Sequence, residues 1–339
     1  MTSWRERVGK ILAATAAKVS IQKKGDEERS KSSYLEEEEG PLVDEYNILE
    51  RIGPVPHDPG NAWLQHEEML RLGLCKAAAA NLKHNRYSNL FPYDTSRIVV
   101  DNPENDYLNA SLIKVAGVDT PLILAMGPMH PDYHGEDTTG QFWSAVHQQK
   151  VGVIVMLCGV QAGYSGCAKY FPRPGEVPLK SGGVRVEAVE DKRGESTIIT
   201  SLRVNGADIT HIQFTKWPNY GVVENVEELG LLVKTVAQEQ TSRGLESTPI
   251  LVHCSGGVGR SGTFATLYSL YHLLQQAEEK GWKEVEKYLK EGDEVSLVPL
   301  VTMLRETRHP WMVEGLHQYK LAYATLLWLL EDLLKHNQK

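Results

Sequence analysis

Cys254 stands in the string Ile250-Leu251-Val252-His253-Cys254-Ser255-Gly256-Gly257-Val258-Gly259-Arg260-Ser261-Gly262-Thr263-Phe264. An apolar run fit for a buried strand ends at the Cys, Gly-rich chain follows, Arg260 closes the loop, and a helical pattern runs from Thr263 to Gln276. Glycines let successive backbone N–H groups turn inward, and a following helix adds its positive end. Ser255, Gly256, Gly257, Val258 and Gly259 therefore read as a main-chain cradle for an oxyanion. Arg260 adds a planar fork that pairs with two phosphate oxygens at once. Thiols placed beside cations and helix N-termini ionise at roughly pKa 3.5–7.5, which suits Cys254 to nucleophilic attack at neutral pH. His253 is expected to orient and polarise the loop, and Ser261 to donate a hydrogen bond to the sulfur as it leaves. A Walker-type nucleotide loop is disfavoured, because no Gly-Lys-Ser/Thr appears.

Such a loop needs a buried strand behind it and a helix in front. Leu122-Ile123-Leu124 and Val151 to Met156 read as further buried strands. Between Val184 and Phe214 apolar residues alternate around turns at Gly194 and Asn205-Gly206, the pattern of antiparallel hairpins. Helical spacing predicts helices over Trp63 to Leu82, from Val226 onward, and over Leu316 to Leu334. An apolar fraction of 41% in 339 residues is enough for a sizeable core. A net charge of −8 argues against general nucleic-acid binding.

The string His-Cys-Ser-Gly-Gly-Val-Gly-Arg-Ser-Gly, set between strand and helix, resembles the signature loop of the cysteine-dependent protein tyrosine phosphatases, in the form of a non-receptor-like catalytic domain. The resemblance covers roughly residues 45 to 335. It implies a single α/β domain, a twisted mixed sheet flanked by helices, that hydrolyses phosphotyrosine in proteins through a phosphocysteine intermediate with no cofactor and no metal. Lys83-His84-Asn85-Arg86-Tyr87 and Asn105 to Ser111 resemble the family's substrate-recognition loop and the strand after it. The resemblance makes Tyr87 the aromatic wall of a slot deep enough for phosphotyrosine and too deep for phosphoserine; by residue type alone Tyr87 suits half-buried packing.

Several positions depart from the family pattern. Trp217-Pro218-Asn219 stands where similar enzymes carry Trp-Pro-Asp on the loop that closes over substrate. The Asp is their general acid, and Asn219 has no transferable proton. In Met312-Val313-Glu314-Gly315-Leu316-His317-Gln318 the second Gln of the water-positioning loop is kept as Gln318, while the first is Glu314. A carboxylate there is either repelled by bound phosphate, with its pKa raised, or acts as a base on the hydrolytic water. It could also replace the acid that similar enzymes pair with the signature Arg, missing from Gln161 to Cys167. Trp311 stands at the rim, where a small residue is frequent. Asn219 keeps open two alternatives, a pseudophosphatase that binds phosphotyrosine without turnover and a substrate-trapping form. A phosphoinositide substrate would want Lys within Ser255 to Gly259.

Residues 1–40 differ in composition from residues 41–339, which are expected to form the catalytic domain. Trp4, Val8, Ile11, Leu12, Ala16 and Val19 fall at helical spacing with basic residues around them, a pattern suited to docking on an acidic membrane surface, to a partner protein, or to packing on the domain itself. Gly25 to Gly40, ending in Glu36 to Glu39, reads as a disordered linker. No apolar run reaches the 18 or so residues that cross a bilayer. Four Cys without metal-ligand or disulfide-rich spacing suggest a reducing, cytoplasmic setting.

Overall fold

A computed structural model of the chain describes residues 3–29, 40–51, 62–132, 136–161, 166–218, 221–289 and 295–336. Its centre is one nine-stranded sheet: β1 (Arg97–Val99), β2 (Tyr107–Ile113), β3 (Leu122–Met126), β4 (Val153–Met156), β5 (Leu179–Ser181), β6 (Val184–Arg193), β7 (Thr197–Val204), β8 (Ala207–Phe214) and β9 (Ile250–Cys254). The strand order is β1-β2-β3-β9-β4-β8-β7-β6-β5. Pairings β3/β9, β9/β4 and β4/β8 are parallel and the others antiparallel, so the sheet is mixed as expected. The hairpins read from the alternation are β6, β7 and β8.

The helices are α1 (Trp4–Arg29), α2 (Pro41–Leu49), α3 (Ala62–Arg71), α4 (Lys76–Ala80), α5 (Thr139–Gln148), α6 (Val226–Ser242), α7 (Gly259–Lys280), α8 (Lys283–Tyr288), α9 (Val298–Thr307) and α10 (Leu316–His336). Strand alternation sorts the core into two layers. Leu124, Val155 and Val252 face a layer shared with α6, α7 and α10; Ile123, Ile154 and Leu251 face another shared with α5. All five residues of β9 are buried, which explains its unbroken apolar run.

Two expectations are corrected here. The helix read over Trp63 to Leu82 is broken: α3 ends at Arg71, Gly73 takes a left-handed φ of 68°, and α4 starts afresh at Lys76. Asp94 carboxylate oxygens accept from the backbone N–H of Lys76 (2.7 Å) and Ala77 (3.1 Å), an anchor that helical spacing does not reveal.

The second correction concerns the N-terminal segment. Helix α1 continues through Gly25 to Arg29, where a linker was expected; residues 30–39, with their four glutamates, lie outside the described residues. Its apolar stripe is already covered. Trp4, Val8, Ile11 and Val19 are buried in the same core as α7 and α10, and the Trp4 indole donates to Leu274 O at 2.8 Å. Polar contacts follow the same path: Arg7 pairs with Glu286 at 2.7 Å, Arg5 donates to Leu334 O at 2.7 Å, and Lys18 pairs with Glu45 and donates to Val295 O at 2.7 Å. The stripe that suited a membrane surface or a partner is spent on the domain itself, because the faces of α7 and α10 supply a larger dry surface at no cost of association.

Candidate active site

Cys254 ends β9, between β3 and β4, and the chain leaves the carboxyl edge of the sheet there, where parallel α/β sheets open their crevices. The loop folds back tightly. Gly257 has φ 74°, and a Cβ there would lie 2.3 Å from Ala125 O, so only glycine fits. The turn brings the Gly257 N–H to 3.2 Å from the Cys254 sulfur. Helix α7 begins at Gly259 and directs its N-terminal end at the same space. Arg260 donates to Leu157 O at 2.9 Å, which braces its guanidinium from the end of β4.

This loop floors a cavity of about 400 Å³. Of the residues expected to bind or act on substrate, Cys254, Ser255, Gly256, Val258, Gly259, Arg260, Tyr87, Trp311, Glu314 and Gln318 line it. The Tyr87 ring lies beside Gly256, and its hydroxyl is 2.9 Å from Ser255 Oγ. Since Ser255 Oγ donates to Gly166 O at 2.9 Å, the Tyr87 hydroxyl is the donor to Ser255. A network absent from the sequence reading holds the Tyr87 loop. Arg308 donates to Asn109 Oδ1 at 2.5 Å, and Asn109 donates to Asn85 Oδ1 at 2.7 Å and Leu90 O at 2.8 Å. Complete burial pushes Arg308 down to about 10, still charged at neutral pH.

On the opposite wall Gln318 is buried. Its amide donates to Gly221 O at 3.1 Å, and its Oε1 accepts from Thr263 Oγ1 at 3.1 Å. Glu314 stands above Gly259, where an added Cβ would lie 3.2 Å from its Oε2. Its side chain keeps access to solvent, yet burial by the surrounding wall raises its pKa from the usual carboxylate value, an effect that Arg260 opposes. The backbone N–H of neighbouring Gly315 donates to the Tyr46 hydroxyl at 2.8 Å, tying this loop to α2.

The other expected site residues lie elsewhere. Asn219, with Tyr220, is outside the described residues; Pro218 and Gly221 on either side both line the cavity. Trp217 does not line it. Its ring is buried edge-on against Phe214 at 6.3 Å, because a large apolar ring gains more from the core than from the rim. Ser261 is fully buried, and its hydroxyl has no hydrogen-bond partner among the described residues.

His253 lies behind the loop, fully buried. Its Nδ1 is 3.2 Å from Cys254 O and its Nε2 2.6 Å from the Tyr170 hydroxyl, which is 2.7 Å from His211 Nε2. One assignment satisfies all three contacts. His211 Nε2–H donates to Tyr170, Tyr170 to His253 Nε2, and His253 Nδ1–H to Cys254 O. Burial pushes the His211 pKa well below its usual value, which keeps it neutral as this chain requires. His253 thus packs behind the loop and does not line the cavity.

Sequence reasoning missed Asn89, Leu90, Pro218, Gly221 and His317, which also line the cavity. Pro218 and Gly221 flank Asn219 in the loop expected to close over substrate, and His317 precedes Gln318; Asn89 and Leu90 carried no such signal. The shared partner His309, whose Nε2 donates to Asn89 O at 3.1 Å while its Nδ1 accepts from Trp311 N at 3.1 Å, joins the two sides of the rim.

The chain belongs to the protein-tyrosine phosphatase family, whose model matches residues 81–328. It is similar to human tyrosine-protein phosphatase non-receptor type 2, 34% identical over 214 residues that cover 60% of this chain and 50% of that protein. Mouse tyrosine-protein phosphatase non-receptor type 23 is 29% identical over 75% of this chain and 14% of its own length. Rat receptor-type tyrosine-protein phosphatase V is 33% identical over 73% of this chain and 14% of its own length. The chain thus spans half or less of the length of these curated relatives. The crystal structure of the catalytic domain of human protein tyrosine phosphatase non-receptor type 18 superposes with a TM-score of 0.66 at 23% identity, covering 85% of this chain and 96% of that one, and shows the fold. Among the described residues no helix is long and apolar enough to cross a membrane.

Proposed function

We propose that this chain hydrolyses phosphotyrosine in proteins through a phosphocysteine intermediate, and that Asn219 slows its first step. The observation that carries the reading is the cavity floor, where the Cys254 sulfur faces the Gly257 N–H with Arg260 and the α7 N-terminus on the same side. In the first step the Cys254 thiolate attacks phosphorus and the P–O bond to tyrosine breaks. The loop amides and Arg260 hold the equatorial oxygens as charge spreads over them. Tyrosyl oxygen departs without a proton from Asn219. In the second step a water beside Gln318 gives its proton to Glu314 and attacks phosphorus. The S–P bond breaks, and the Ser261 hydroxyl, without a hydrogen-bond partner among the described residues, turns to the departing sulfur. The depth of the slot beside Tyr87 favours phosphotyrosine over phosphoserine. Four free thiols suit a reducing intracellular setting.

The test is burst kinetics on an aryl phosphate, following phenol and phosphate separately. With the first step limiting, phenol and phosphate should appear together; a phenol burst ahead of phosphate would place the slow step at hydrolysis of the phosphocysteine, and turnover kept by Cys254→Ser would overturn the intermediate itself. Stoichiometric binding of a phosphotyrosyl peptide with no phenol released at all would instead establish the binding module that Asn219 also suits.

A further inference from the structure

Two neighbouring residues of α2 grip the loop that carries both side chains of the proposed second step. Glu45 is buried, and its Oε2 accepts from the hydroxyl of Tyr319, the residue after Gln318, at 2.5 Å. Tyr46 is buried beside it, and its hydroxyl accepts from the N–H of Gly315, the residue after Glu314, at 2.8 Å. The Tyr46 and Tyr319 rings fill the space between these contacts, with centroids 5.8 Å apart. Arg305 ties the start of the same loop to α2. Its Nε donates to Met312 O at 3.2 Å, its Nη1 donates to Leu49 O at 2.5 Å, and its guanidinium lies 5.7 Å from the Tyr46 ring centroid.

The grip opposes strain in the loop. Val313 has φ 59° and Gly315 φ 84°, so Glu314 stands between two left-handed residues. A β-branched residue avoids that region, and such a conformation persists only where its surroundings over-determine it. Relaxing Val313 would turn the peptide that follows and carry the Glu314 side chain away from its place above Gly259.

We infer that Tyr46 is a positioning residue for hydrolysis of the phosphocysteine, its hydroxyl holding the strained turn from Val313 to Gly315 so that the Glu314 carboxylate meets the attacking water. The inference rests on the reading of Glu314 as the base of that step. Water gives its proton to Glu314, its oxygen bonds to phosphorus, and the S–P bond breaks with its electron pair returning to the Cys254 sulfur. Tyr46 does not line the cavity and touches none of these atoms. Glu45 extends the hold outward to α1, since it also pairs with Lys18.

The experiment is rapid-quench capture of the phosphocysteine formed from dinitrophenyl phosphate, whose acidic phenol leaves without a proton donor. Tyr46→Phe keeps the buried ring and removes the acceptor. It should leave formation of the phosphocysteine unchanged and slow its hydrolysis about tenfold, part of the roughly 10²–10⁴-fold that a positioned base supplies. In the steady state kcat and KM should then fall together, with kcat/KM unchanged. Glu314→Gln should slow hydrolysis at least as much, and Tyr46→Phe should add nothing in that background. The Gly315 amide should be protected from hydrogen exchange in the wild type and exchange about tenfold faster in Tyr46→Phe. Unchanged hydrolysis in Tyr46→Phe, an equal slowing of both steps, or an unprotected Gly315 amide in the wild type overturns the inference and leaves the phosphocysteine reading in place. Unchanged hydrolysis in Glu314→Gln removes the base and the inference with it, and a wild type that forms no phosphocysteine ends both readings.

Discussion

Ile11→Ala tests whether the N-terminal helix is part of the folded unit. Ile11 is 2% exposed, in the stripe with Trp4, Val8 and Val19 that packs with α7 and α10. Deleting the whole helix would remove four such side chains, gross about 6–12 kcal/mol at 1.5–3 each. That sum is an upper bound, offset by the entropy of ordering the helix. A single substitution keeps the helix and avoids the offset. Truncating a buried Ile to Ala costs about 2–5 kcal/mol, depending on how far the site collapses. With a urea slope of about 3 kcal/mol/M, the unfolding midpoint should fall by about 1 M. Lys10→Ala, on the exposed face of the same helix, is the control and should leave the midpoint in place. Removing residues 1–29 should also slow turnover on a small aryl phosphate. The Lys18–Glu45 pair steadies α2, and α2 in turn holds Gly315 beside Glu314 through Tyr46. If Ile11→Ala and Lys10→Ala unfold at the same urea concentration, the helix does not pack as described, and docking on a membrane surface or a partner would be the better reading of its apolar stripe.

Three further outcomes are expected. Asn219→Asp should speed turnover on phosphotyrosine by 10²–10⁴-fold, about 3–5 kcal/mol, and flatten the dependence on leaving-group acidity; an unchanged leaving-group slope would show that another group already supplies the proton. The raised pKa of Glu314 means that the folded state holds its proton more tightly than the unfolded chain does. Its ionisation therefore lowers stability as pH rises from the usual Glu value of 4.5 through the folded value, so Glu314→Gln should be the more stable protein at neutral pH and equal to wild type near pH 3; a difference independent of pH in urea titrations would contradict this. Burial pushes His272 down to about 4 from 6.5, so its stabilising neutrality is present above pH 6.5 and lost as pH falls toward 4, about 3 kcal/mol in all. His272→Gln should lose that much less between pH 7 and 4, and an identical acid loss in wild type and variant would refute it.

What the sequence by itself determined is the segment from Ile250 to Gln276, because its causes are local. An apolar run makes the buried strand, glycines make the turn that brings the Gly257 N–H to the sulfur, and a helix start follows at once. The same holds for β6 to β8, where alternation and turn residues specify hairpins without reference to distant chain. Departures such as Asn219 and Glu314 were also legible, since they are changes of residue type within a recognised string. Only the tertiary structure decided what covers an apolar face. The stripe of α1 looks alike whether it meets lipid, a partner or α10, and periodicity carries no information about the surface opposite. Trp217 went to the core for the same reason. The chain from His211 through Tyr170 to His253, the Arg308 and Asn109 brace and the contact of Tyr46 with Gly315 join residues distant in sequence. Each depends on a few hydrogen bonds across neighbouring strands and loops, and such contacts leave no local pattern to read.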